Sequence, residues 1–170
     1  MTPYTTRDKV IKWSAYALAC FLLLTVHSLT LANWHVWGIA PFLPPLLPAV
    51  ITSMEERLES IGFALVFGMV CDVTLAAPLP CLYTVSFTLA AVVASFLAGN
   101  VLQPGVLCSL AVSAAAFALV DIVVGIALLH GARASLSAVV LRALREMILS
   151  LPLLVVCHPV LAFVHRRFTL

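Results

Sequence analysis

Long apolar runs separated by short polar breaks dominate the chain, and their lengths predict membrane-crossing helices rather than the narrow-striped helices of a soluble domain. A spanning helix needs about 20 predominantly apolar residues. Runs of that kind fall at 13–31, 38–54, 61–77, 82–98, 106–129 and 148–164. One stretch differs: over about 134–146, Leu136, Val139, Val140, Ala143, Leu144 and Met147 fall on one side while Arg142, Arg145 and Glu146 fall elsewhere. That periodicity predicts an interfacial amphipathic helix. The pattern as a whole predicts an all-α integral membrane protein, a single domain over 1–170 folded as a compact bundle of about six transmembrane helices.

The second run departs from regular helix. Pro41, Pro44, Pro45 and Pro48 each lack a backbone donor and disfavour helix in the residue before them. A proline-broken segment persists in a bilayer only where protein or a water-filled cavity covers its free carbonyls, so it is expected to be buried against its neighbours. The cluster Glu55, Glu56, Arg57 and Glu59 that follows reads as a solvated loop. Pro78 and Pro80 predict a tight turn after the third run, and residues 99–105, with two glycines and a proline, predict another after the fourth. Trp34 and Trp37 lie where an interfacial aromatic belt would fall.

Composition sharpens this picture. Of 170 residues 64% are hydrophobic and 9% charged, with a mean hydropathy of +1.17, values foreign to soluble domains. Nine Lys and Arg against seven Asp and Glu, scattered along the chain, make no nucleic-acid footprint. Arg7, Lys9 and Lys12 precede a first run longer than a signal-peptide core, which predicts a retained helix with its N-terminus in the cytoplasm. Charge counting alone does not choose between six spans and a re-entrant second segment; segment length favours six. The five cysteines have no ligand-type spacing and read as small core residues.

Two acids lie within the apolar runs, and an ionisable group there is expensive unless satisfied. Asp72 shares a fourfold-spaced face with Ala64, Gly68 and Ala76; Asp121 has Ala118 and Gly125 on its face. Small residues let a second helix approach and supply donors. For Asp72 the candidates are backbone donors at the turn before Pro78, a neighbouring helix or a partner; for Asp121, a Ser or Thr on a neighbouring helix. His27 and His158 are each expected to satisfy a local carbonyl. No phosphate loop, HExxH or clustered acid pattern is present, so neither a catalytic constellation nor a cofactor or metal site is expected.

The order of a basic N-terminus, the segment PFLPPLLP and then GFALVFGMVCDVTLAAPLPCLY resembles the MreD family of bacterial rod-shape proteins over nearly the whole chain. Asp72 stands at that family's intramembrane Asp position, whereas Ala76 and Pro80 stand where it often has glycine. The resemblance implies a non-catalytic, multi-pass protein of the bacterial cytoplasmic membrane that binds the membrane helix of MreC. Through that complex it would reach RodA and a class B penicillin-binding protein, with MreB indirectly and membrane lipid around it. The Asp72 and Asp121 faces, with the broken segment, would form the docking surface or an internal lock. An alternative is a substrate-binding subunit of an energy-coupling-factor vitamin transporter, whose six-helix architecture MreD is similar to. Ala15 and Ala19 would then resemble its first-helix contact motif.

Overall fold

The computed structural model describes residues 6–34, 38–55, 57–75, 79–100, 105–131 and 135–169, which are helical apart from the connecting turns. In order they form α1 (Thr6–Leu29) with a short 3-10 turn (Leu31–Asn33), α2 (Leu46–Met54), α3 (Arg57–Thr74), α4 (Leu82–Asn100), α5 (Val106–Gly131) and α6 (Leu136–Ser150). A second 3-10 turn (Leu151–Leu153) leads into α7 (Leu154–Thr169). Among the described residues three segments, Thr6–Leu29, Val106–Ile126 and Leu136–Phe168, are long and apolar enough to cross a membrane. Large apolar side chains stand exposed along the outer faces, among them Leu18 and Phe21 on α1, Val66 and Val73 on α3, and Val155 and Phe163 on α7. Apolar surface on that scale suits lipid rather than water.

The proline-broken segment is the centre of the molecule. Pro41 and residues 43–53 are all buried, Pro44 and Pro45 completely. Only nine residues of it are helical, about 14 Å of rise against a hydrocarbon core of about 30 Å. The remainder is irregular backbone: Phe42 packs near His27 and Tyr83, while Glu55 bonds Lys12 and Tyr16 at the other end of α1. The segment therefore runs from one end of the bundle to the other, part extended and part helix. Side chains and nearby amides take up its polar groups. Thr52 donates to the Pro48 carbonyl at 2.8 Å, Ser53 donates to the Val50 carbonyl at 2.7 Å, and the Phe42 amide donates to Ser150 Oγ at 2.8 Å. Ser53 also pairs with Ser109 of α5 at 2.9 Å.

The stretch expected to be an interfacial amphipathic helix over 134–146 forms α6, which meets α5 through Val139. α5 and α6 run antiparallel, with Val139 against Gly125 and Ala143 flanking the same wall as Asp121. Part of the apolar side of α6 lines a groove shared with α5, and the helix continues through Leu151–Leu153 into α7. Pro152 stands in that 3-10 turn, where its missing donor costs little.

α3 and α4 pack most extensively, and Gly68 sets their distance. A Cβ on Gly68 would lie 2.6 Å from Thr84 Cα and 2.9 Å from the Tyr83 carbonyl oxygen, so the α3 backbone rests directly on the start of α4. Ala64, one turn earlier, is fully buried on the same face; Ala76 lies outside the described residues. Behind this contact a ladder of rings crosses the bundle: Trp13–Phe63, Phe63–Phe67, Phe67–Phe87, Phe87–Tyr83, Tyr83–Phe42 and Phe42–His27, with centroids 5.4–6.1 Å apart. Because the neighbour of Gly68 is backbone and cannot swing away, Gly68→Ala is expected to cost about 1–3 kcal/mol. A thermal unfolding scan in detergent would register this as a lowered midpoint, while Gly62→Ala, where a Cβ meets open space, should leave the midpoint in place or raise it.

Candidate functional site

Asp72 lies in the last turn of α3, and its carboxylate faces the first turn of α4. The Tyr83 amide donates to Oδ1 at 2.8 Å; the Thr84 amide and hydroxyl donate to Oδ2 at 2.9 and 2.6 Å. The first amides of a helix have no partner within it. Asp72 therefore caps α4 from outside, supplying the oxygens that a capping side chain just before the helix would otherwise give and placing negative charge at the positive end of its dipole. The residue at that position, Cys81, holds a left-handed backbone at φ 59°. Of the alternatives open in the sequence, the neighbouring helix supplies every observed donor, two of the three from its backbone. Cys81 is exposed, unlike the buried Cys20, Cys71, Cys108 and Cys157, so the expectation of a core cysteine fails at this one position.

Asp121 has a different setting. No Ser or Thr bonds it, and it makes no hydrogen bond to any described residue; it lines a cavity of about 630 Å3. Tyr83, Arg142 and Glu146 share the lining with Gly38–Ala40 and Phe42. Tyr83 thus joins the two acids: its amide caps against Asp72 and its side chain borders the chamber of Asp121. Gly125 is buried against Val139, with 3.0 Å left for a Cβ, whereas Ala118 is exposed and lines an apolar groove rather than packing against a helix. His27 is buried nearby, and its Nδ1 has no partner among the described residues instead of the carbonyl expected for it.

A third polar group, missed in the sequence, closes the other end of the bundle. Glu55 is no solvated loop residue; its side chain is 5% exposed. Oε2 accepts from Lys12 Nζ at 2.6 Å, and Oε1 accepts from the Tyr16 hydroxyl at 2.7 Å and lies 2.7 Å from His165 Nδ1. Glu59 accepts from Lys9 Nζ at 2.5 Å and from Trp13 Nε1 at 3.0 Å. The two glutamates tie α1 to α3 and α7. The only signal for this in the sequence is the match of two acids after α2 with two lysines before the first apolar run. Among the described residues no group of three or more His, Cys, Asp or Glu side chains could hold a metal ion.

No family model, curated protein or solved structure matches this chain.

Two expectations follow from these contacts. Asp72→Asn turns an acceptor oxygen into an NH2 group facing donors, so it should destabilise the bundle by about 1–3 kcal/mol. Hydrogen exchange should show the loss concentrated in the first turn of α4. The Lys9 ammonium, and then the Trp13 indole, hold the Glu59 carboxyl below its ordinary value. A carboxyl depressed in the folded state adds stability that is present above the unfolded value of 4.5 and lost as pH falls through the lower folded value. Thermal midpoints measured while acidifying through that range should decline more gently in Glu59→Gln than in the parent.

Proposed function

We propose that this chain is a non-catalytic, multi-pass subunit of the bacterial cytoplasmic membrane with six spans and a cytoplasmic N-terminus. In this reading it acts in the rod elongation complex as MreD proteins do, docking the membrane helix of MreC and supporting wall synthesis by RodA and its penicillin-binding partner. The observation that carries the reading is the use made of Asp72. At the family's acid position the carboxylate holds α4 onto α3, a structural use that suits a docking scaffold. Further support comes from the buried proline segment and from apolar outer faces open to helix contacts.

A second reading, the substrate-binding subunit of an energy-coupling-factor transporter, draws support from the chamber beside Asp121, which has the volume of a small-molecule site. It lies at the bundle end away from Lys9 and Lys12, where an outward-facing pocket would open. Affinity purification of the tagged chain from its native membrane separates the readings. MreC and elongation-complex proteins are expected with the parent, and several-fold less MreC with Asp72→Asn at equal bundle recovery. Unchanged MreC association and cell shape in that variant would remove Asp72 from the docking argument. A coupling-factor membrane subunit with its ATPases in place of MreC would overturn the scaffold reading.

A further inference from the structure

The chamber beside Asp121 does not end in a closed wall. Asp121, Gly125, Val139 and Ala143 line it and also line a second hollow of about 370 Å3 between α5 and α6. This second hollow is a groove edged by Ile122, Leu144 and Met147 and reaching the outer surface at Ala118. A charged chamber therefore adjoins an apolar groove across one shared wall.

The charges specify more than polarity. The chamber holds two carboxylates, Asp121 and Glu146, and one guanidinium, Arg142. Arg142 Nε stands 3.9 Å from Glu146 Oε2, too far for a hydrogen bond, and the Arg142 side chain is 56% exposed, so its fork is open to an incoming anion. Asp121 bonds to no described residue. A ligand that satisfies the chamber must offer a hydrogen-bonding cation to the carboxylates and an anion to the guanidinium, and its apolar part must fit the groove. Guanidinium forks match phosphate oxygens, and a primary ammonium brings three donors to carboxylates.

We propose that the chamber and groove together bind a zwitterionic amino-phospholipid. The ammonium lies between Asp121 and Glu146, the phosphate lies on Arg142, and one acyl chain follows the α5–α6 groove. A glycerol-headed anionic lipid would set its phosphate on Arg142 but bring no cation of its own to the two carboxylates. A trimethylammonium head would bring charge without donors. The inference stands on the cavity and is independent of the scaffold reading, because lipid retention is measured on the purified chain whether or not MreC accompanies it.

The test is native mass spectrometry of the full chain in detergent with equal amounts of phosphatidylethanolamine and phosphatidylglycerol. The parent should retain phosphatidylethanolamine in roughly tenfold excess, the scale of one or two charge-assisted hydrogen bonds. D121N/E146Q should bring the two lipids near parity. Ala118→Trp, which obstructs the groove and leaves the charges in place, should lower retention of both lipids without changing their ratio. Should the double variant fail to fold, Arg142→Gln on the exposed rim should lower phosphatidylethanolamine retention several-fold. Parity in the parent, an undiminished preference in D121N/E146Q, or displacement of the lipid by equimolar free phosphoethanolamine would each overturn the proposal.

Discussion

Everything at the centre of this bundle depends on how one carboxylate is satisfied. Asp72 accepts three hydrogen bonds from the first turn of α4, and this is possible only because Gly68, one turn earlier, lets the α3 backbone rest on Thr84. The cap and the close approach need each other. Without the glycine the amides would stand too far from the acid, and without the acid the closely packed helix start would leave its donors unpaired in an apolar setting. Tyr83 is fixed by the same contact, and with it the aromatic ladder on one side and the wall of the charged chamber on the other.

The opposite end is held by a different chemistry. Glu55 and Glu59 gather two lysines, a tyrosine, a tryptophan and a histidine from α1 and α7. Buried ion pairs gain little net stability because desolvation offsets much of their attraction. Their stronger effect is on register: α1 and α7 each have one position at which their polar groups meet the glutamates.

Local features of the fold were legible in the sequence, and features that depend on distant partners were not. The fourfold spacing of Ala64, Gly68 and Asp72 marks one small face with an acid in it, and the structure puts that face on α4. That the donors lie eleven and twelve residues beyond the acid goes with the left-handed backbone at Cys81, which a residue carrying a Cβ gives no reason to expect. Glu55 looked solvated because its immediate neighbours are charged; its partners Lys12 and His165 lie 43 and 110 residues away. The α6 stripe reads as amphipathic in the sequence, and the structure sets part of that stripe beside α5. Periodicity gives the apolar side but not its partner, and the partner here is α5, reached by doubling back past Gly125. The same doubling back brings Arg142 and Glu146, rather than a Ser or Thr, to Asp121.

The buried proline segment also bears on how the protein is made. Its irregular backbone needs cover that lipid cannot give, and that cover comes from α3, α4, α5 and α7 and from Ser109 and Ser150. Most of these residues leave the ribosome long after the segment itself. The cover of residues 41–54 is complete only once α5 and α7, which come later in the chain, are in place. The bundle thus closes from its later helices inward onto an earlier core.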